Sequence, residues 1–477
     1  MTTAIVWFRR DLRLADNPAL QAACRHADRL IPLFVWSPGD EAPWQPGAAS
    51  RWWLHHSLER LNEDLARLGN PLVVRPAGRA LDAIRDLVEA QGVEYLYWNR
   101  LYDPALVARD KALKQWALEA GLTVESFRAG VLSEPWEVAN GRGDPYRVFT
   151  PFWKAARSRD CGAPIPAPKQ LPMPPAGLDR GAVASLGLLP GIRWDAGLAA
   201  TWRPGEAGGH DLLEDFADGA AERYGQVRDL PAEPGTSRLS PYLHFGEVSP
   251  RQALRLIERV QDPEAAQPWL RQLYWREFGH HLLFHFPHTA EAPLDPRFAD
   301  FPWADDEPAL AAWQAGTTGI PMVDAGMREL WHTGWMHNRV RMLVASLLTK
   351  NLLLPWQAGA RWFWDTLVDA DLANNSLGWQ WTAGCGADAA PYFRIFNPAL
   401  QGERFDPRGH YVRRWVPELA QLPERWLHRP WEAPQAVLDT ADVRLGRDYP
   451  RPLVDLAESR AAALDVWEDL KATNSPA

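Results

Sequence analysis

The segment from Trp331 to Pro398 constrains the fold more than any other. It reads WHTGWMHNRVRMLVASLLTK and later DTLVDADLANNSLGWQWTAGCGADAAPYFRIFNP. Apolar runs alternate there with Arg339, Arg341, Asp369, Asp371, Asn374, Asn375 and Gln380. A hydrophobic core alone has no use for so many polar side chains. Each costs free energy once it leaves water unless it finds a partner. These groups are therefore expected to surround something polar, flat and large, and the rest of the chain to frame it.

With 477 residues, the chain is long enough for two or three domains with ample core. Net charge is -9, so any nucleic-acid site must be a local basic patch on an acidic body. Cys24, Cys161 and Cys385 show no CxxC spacing. That argues against a disulfide framework or zinc ribbon and fits a reducing cytosol. The start, MTTAIVWFRRDLRL, is too short and too charged for a signal peptide. No run of about 18 apolar residues exists, so no membrane span is expected. The 26 Trp are the outlier. Trp fills cores and interfaces, but it is also readily oxidised by a neighbouring excited chromophore.

Residues 1–130 alternate β-rich runs with helical patterns. The runs are Ala4–Phe8, Leu30–Trp36, Pro71–Arg75, Val93–Trp98 and Leu122–Phe127; Ser50–Leu68 and Pro104–Ala120 are helical. This rhythm predicts a doubly wound parallel α/β sheet. No GxGxxG follows the first run, so a dinucleotide fingerprint is absent. Arg9, Arg10 and Asp11 fall at a strand's carboxyl end, where open sheets bind ligands. The alternative there is a solvated turn with Asp16 or Asn17 capping the next helix. Residues 131–205 form a Pro- and Gly-rich connector, relieved only by FWKAAR, whose Lys154 and Arg157 are candidates for a basic rim. Residues 206–477 are mostly helical, with amphipathic runs at Pro250–Val260, Pro268–His285, Pro308–Ala315, Val323–His332 and His337–Leu348. No repeat is visible, which predicts a compact all-α domain.

Between Tyr224 and Pro250 lies YGQVRDLPAEPGTSRLSPYLHFGEVSP, with Thr236, Ser237 and Ser240 around a Gly-Thr turn. Small hydroxyls and free amides at a helix start suit a phosphate, although most such turns are only caps. WFRRDLRL, GTSRLSPYLHFGEVSP, YWREF, TGIPMVDAGMREL, GWMHNRVRM, DADLANNSLGWQW and DAAPYFRIFNP together resemble the motifs of the DNA photolyase and cryptochrome family over nearly the whole chain. The resemblance implies an N-terminal α/β antenna-type domain, a long connector and a C-terminal helical domain holding a U-shaped FAD. It is closest in kind to bacterial cyclobutane pyrimidine dimer photolyases.

Several roles follow from the resemblance. Tyr224, Thr236, Ser237 and Ser240 match FAD-contacting positions. Arg341 and Asp369 match an ion pair beside the isoalloxazine, and Asp371 a residue near the ribose and adenine. Asn375 matches the group facing flavin N5, where plant cryptochromes carry Asp. Trp379, Trp356 and Trp303 match an electron-hopping chain from flavin to surface; for any one Trp the alternative is a place in the core. Trp275 and Trp381 match the indoles flanking a flipped pyrimidine dimer. Arg228, Arg339 and Arg394 match rim positions that meet DNA phosphates or the lesion.

Asn338 and Met342 are the pair found in cyclobutane-dimer enzymes, where 6-4 photolyases carry two His. Without an acid there, 6-4 chemistry lacks its proton source. One departure stands three residues before Trp275: Gln272 replaces the Glu of many cyclobutane-dimer enzymes. His281 and His285 are spaced i, i+4, with His288 following, but no HExxH glutamate or Cys ligand accompanies them, and no metal is expected.

The implied activity is light-driven repair of cyclobutane dimers in UV-damaged DNA by electron transfer from reduced, anionic FAD, without net redox change. The alternatives are a 6-4 photolyase and a cryptochrome-type sensor without repair. The sensor is disfavoured because the chain ends 47 residues after Pro430 without a long polar tail. A dark flavoprotein oxidoreductase would need the missing nicotinamide fingerprint. Ala105 and Leu106 fall where folate-binding relatives carry Asn and Glu. The antenna is therefore open between a folate, a deazaflavin, a second flavin and none. A cytoplasmic monomer without a membrane anchor is expected.

Overall fold

In a computed structural model, which describes residues 1–473, the N-terminal region forms one parallel sheet. Its strands are β1 (Thr3–Phe8), β2 (Arg29–Trp36), β3 (Val73–Pro76), β4 (Tyr95–Asn99) and β5 (Thr123–Phe127), in the order β3-β2-β1-β4-β5. Ile5 of β1 faces Ile31 of β2 and Leu96 of β4 across the register. All six residues of β1 are buried, as expected when helices cover both faces. The helices are α1 (Pro18–His26), α2 (Ala48–Arg67), α3 (Ala80–Gln91) and α4 (Pro104–Glu119). Ala80, Ile84 and Leu87 of α3 and Leu113 and Ala117 of α4 join Ile5, Trp7, Ile31 and Leu33 in one core. The sequence-derived strands and helices agree with these bounds to within about two residues.

Strand order reverses beside β1, and Arg9, Arg10 and Asp11 leave its carboxyl end there. Their charges are spent on one another's neighbours. Arg9 pairs with Asp110 at 2.7 Å, and Arg10 with Asp103 at 2.6 Å and Glu41 at 2.8 Å. Asp11 accepts from Asn99 Nδ2 at 2.6 Å. Asn17 caps α1 by accepting from the Leu20 amide at 3.1 Å, and Pro18 follows at the first helical position. The cap is as anticipated, but the turn is not solvated: Arg9 and Asp11 are buried.

The connector carries α5 (Phe149–Arg157), a six-residue helix at Ala196–Thr201 and short turns. Beyond it come α6 (Pro250–Ile257), α7 (Gln267–His285), α8 (Glu307–Ala315), α9 (Pro321–Thr333), α10 (Asn338–Ser346), α11 (Trp356–Thr366) and α12 (Leu372–Ala383). Prolines open α6, α7, α8 and α9, and left-handed glycines close α8 and α9 at Gly316 and Gly334. No described helix is long and apolar enough to cross a membrane. Packing divides the chain into two compact units. The first comprises residues 1–223, 237–287 and 368–373; the second comprises 224–236, 288–367 and 374–477.

Burial pushes His281 in the first unit and His337 in the second down to about 4 from 6.5. Between about pH 4 and 6.5 each is unprotonated when folded and takes up a proton on unfolding. That contribution to stability is fully present above pH about 6.5 and is lost as pH falls through 4. Unfolding free energy should therefore drop by roughly 2 kcal/mol per histidine between pH 7 and 5. Urea titrations at both pH values check this, and His281→Gln should make the loss shallower.

Candidate functional site

In the first unit, α7 carries Gln272 and Trp275 one turn apart on a helix that begins with Gln267-Pro268. Trp275 is half-buried and lies face to face on Phe149 of α5, with ring centroids 3.9 Å apart and planes 8° apart. Gln272 donates Nε2–H to the Pro268 carbonyl at 3.3 Å, one turn back. Its amide oxygen is the acceptor that this leaves for a ligand. Ser237 accepts from Trp269 Nε1 at 3.1 Å. Ser240 opens a five-residue helix, Ser240–His244, and its side chain is exposed. Arg238 between them holds φ at 51°, a left-handed conformation that costs a non-glycine residue free energy.

Asp369 and Asp371 also belong to the first unit, and both are buried. Asp371 Oδ2 sits 3.4 Å from His244 Nδ1 and 3.7 Å from His280 Nε2. Burial alone would raise its carboxyl, but the neighbouring imidazoles outweigh burial and hold it well below the usual carboxylate range. An ionised carboxylate here is a strong acceptor. The paired His281 and His285 point elsewhere: His281 Nδ1 and His285 Nε2 both lie on the Pro135 carbonyl, at 3.1 and 3.0 Å.

In the second unit, α10, α11 and α12 carry most of the remaining candidates. Asn338 and Met342 share a face of α10, with Asn338 Nδ2 4.0 Å from Met342 Sδ. Arg341 donates Nε–H to the Met336 carbonyl at 2.8 Å. Arg339 is engaged twice: it pairs with Asp229 at 2.8 Å and lies 4.5 Å over the Phe405 ring. Arg228 lies 5.3 Å over the Tyr224 ring and 3.9 Å from Asp229. Arg394 is exposed and has no ion pair among the described residues. Trp381 is half-buried, and Thr236 partly exposed. Asn375 on α12 donates Nδ2–H to the Ala360 carbonyl of α11 at 3.0 Å. That bond fixes its amide plane and leaves the oxygen as acceptor.

Trp303, Trp356 and Trp379, expected from the sequence to form a hopping chain, all lie in this unit. Trp379 is buried against Phe363, Trp313 and Gly359, and its indole N–H finds no partner among the described residues. Gly359 stands one turn from Trp356 on α11, and any Cβ there would overlap the Trp379 ring. The glycine thus lets α11 and α12 approach at that ring. Trp356 is buried. Trp303 is partly exposed, and the next amide, that of Ala304, donates to the Leu353 carbonyl at 2.8 Å, close before Trp356. The series runs from buried to partly exposed.

Gln380 departs from expectation. Its amide donates to the Thr289 and Ala292 carbonyls at 2.8 and 2.9 Å and accepts from the Leu294 amide at 2.9 Å. It braces a loop, and both its N–H groups are used there. Sequence reasoning missed Phe149, Asp229, Phe405 and Gly359. Nothing local marks them, since each matters through a residue distant in the chain.

Two family models match: DNA photolyase over residues 4–170 and the FAD binding domain of DNA photolyase over residues 269–469. The chain is 47% identical over 474 residues to a deoxyribodipyrimidine photo-lyase of Agrobacterium fabrum, covering 98% of each. It is 42% identical to Cryptochrome-1 of Arabidopsis thaliana, covering 98% of this chain and 70% of that protein. A solved bacterial class III photolyase from Agrobacterium tumefaciens superposes with a TM-score of 0.95 at 46% identity, covering 99% of this chain and 98% of the other. An archaeal photolyase from Sulfolobus tokodaii, solved with two FAD molecules, gives a TM-score of 0.83 at 30% identity, covering 98% and 100%. With a parallel-sheet N-terminal region, a helical FAD-binding region and likeness over its full length, this chain belongs to the DNA photolyase and cryptochrome family.

Proposed function

We propose that the chain is a deoxyribodipyrimidine photo-lyase that repairs cyclobutane pyrimidine dimers in UV-damaged DNA under light. The observation that carries this reading is its full-length likeness to proteins of that name. The side chains suit FAD. Thr236 and Ser240 offer hydroxyls, Arg341 a cation, Asp371 an ionised carboxylate and Asn375 a fixed amide oxygen. Bound and reduced, FAD supplies the light absorption and the electron that opens the dimer.

The residues around it divide the remaining work. Tyr224, Thr236, Ser237, Ser240, Arg341, Asp369 and Asp371 hold and orient the cofactor. Asn375 presents an acceptor toward flavin N5. Trp303, Trp356 and Trp379 pass electrons inward from the surface. Trp275 and Trp381 stack on the flipped lesion, whose extrusion must be offset by such contacts. Gln272, Asn338 and Met342 meet its edge. Arg228, Arg339 and Arg394 face the DNA backbone; the first two do so through cations already steadied by Asp229.

The likeness to an archaeal photolyase with two FAD molecules supports a second, light-harvesting chromophore, with folate and deazaflavin as the other candidates. We further propose a cytoplasmic monomer with linear boundaries at 1–130, 131–205 and 206–477. Illuminating the purified protein with DNA carrying either the cyclobutane dimer or the 6-4 product, scored by loss of lesion, tests the activity. No loss of either would favour a sensor of the cryptochrome kind.

Asn375→Ala should still fold and bind FAD, because only one side-chain bond to Ala360 is lost. Its reduced form should reoxidise in air roughly five- to tenfold faster, as a buried polar partner at N5 is worth about 1 kcal/mol or more. Equal reoxidation rates in variant and parent would remove Asn375 from N5.

A further inference from the structure

The face-to-face pair of Phe149 and Trp275 is part of a larger arrangement within the first unit. Trp153, one turn beyond Phe149 on α5, holds its ring parallel to Phe149, 6.4 Å away and within 4°. The Arg271 guanidinium lies 4.4 Å from the Trp153 ring centre and 5.4 Å from that of Phe149. Arg157 lies 4.7 Å over Trp153. Lys154 and Arg157 are exposed, and Arg271 is half-exposed. None of the three has an ion pair among the described residues, in a chain where acids outnumber bases by 60 to 51. Elsewhere, Arg9, Arg10 and Arg339 are matched by carboxylates.

Unmatched cations interleaved with parallel rings are what a nucleic-acid strand requires, with charge for its phosphates and flat faces for its bases. Stacking on an indole also orients a guanidinium before the phosphate arrives, so less freedom is lost on binding. Phe149 covers one face of Trp275, Phe278 meets the ring edge-on, and the indole stays only half-buried.

We propose that α5 and the start of α7 form a DNA-backbone contact. Arg271, Arg157 and Lys154 take phosphates flanking the lesion, and Phe149 is a positioning residue that holds the Trp275 ring by one face. The proposal rests on the reading of Trp275 as a wall of the lesion pocket. It adds a second binding tract to the rim arginines.

The test is fluorescence anisotropy with labelled duplexes, undamaged and dimer-containing, across roughly 50 to 200 mM salt. The triple variant Lys154→Gln/Arg157→Gln/Arg271→Gln should make the slope of log affinity against log salt shallower by roughly two to three on both duplexes. Arg85→Gln on α3, which removes a cation paired with Asp82, should leave the slope unchanged. Phe149→Leu should keep the slope but reduce the preference for the dimer by roughly fivefold, and Phe149→Tyr should retain the preference. An unchanged slope in the triple variant, or an equal fall per charge in Arg85→Gln, would overturn the contact. An unchanged preference in Phe149→Leu, or an equal loss in Phe149→Tyr, would overturn the positioning role. A parent protein with no preference for the dimer would instead refute the reading of the pocket itself.

Discussion

Trp356→Phe is expected to slow photoreduction of oxidised FAD at least tenfold while leaving repair by chemically pre-reduced protein in place. The substitution keeps an aromatic ring at a buried position in α11, so the fold should survive with a modest packing loss. What it removes is an oxidisable indole. Trp379 is buried and Trp303 partly exposed, and the segment between Leu353 and Trp356 joins the Trp303 loop to α11. In the proposed series Trp356 is the middle carrier, and without it a single longer transfer would have to replace two steps. Trp303→Phe should act in the same direction, by cutting the series at its exposed end. Bleaching of the oxidised flavin band under blue light, with an external thiol as the final donor, reads the rate. Repair needs electrons already on the cofactor, so pre-reduced variants should still clear dimers. Normal photoreduction in both variants would return these tryptophans to the core.

Much of the architecture was legible in the sequence. The five β-rich runs and the helices between them have two unmistakable periods, and parallel strands buried on both faces read as continuous apolar runs. Helix ends were legible for a local reason: Asn17, Pro18, Ser249, Pro250 and Gly334 act within one turn of themselves. The candidate site was less so. The polar residues between Trp331 and Pro398 are correctly singled out as buried or half-buried, but burial does not say which partner each has. Gln380 looked like a ligand contact and instead spends both N–H groups and an acceptor on backbone of residues 289–294. Arg339, expected at a DNA-facing rim, also pairs with Asp229 and lies over Phe405, partners that no local signal announces. Phe149 lies in the connector, more than a hundred residues from Trp275, so no periodicity could have joined them. Long-range pairings of this kind depend on the fold as a whole.

The second large effect is expected at Gln272, where the chain departs from many cyclobutane-dimer enzymes. Gln272 donates one N–H to Pro268, one turn back on α7, and so offers its amide oxygen and a second N–H outward. A thymine edge presents an N–H donor beside carbonyl acceptors, and the amide matches both at every pH. An ionised Glu would only accept. It would also place negative charge next to a dimer about to gain an electron, which a low-dielectric pocket makes costly. Gln272 should therefore support repair of the cyclobutane dimer, and Asn338 and Met342 on α10 supply no acid for the 6-4 product. Gln272→Leu should lower dimer affinity or repair yield by about 5- to 150-fold, since a buried base edge left without its partner costs roughly 1–3 kcal/mol. Gln272→Glu should stay active but acquire a pH dependence, working better when the carboxyl is protonated and can donate. Parallel repair assays on both lesions decide the matter. If the parent protein clears the 6-4 product and not the cyclobutane dimer, Gln272 outweighs Asn338 and Met342, and the proposed substrate is wrong.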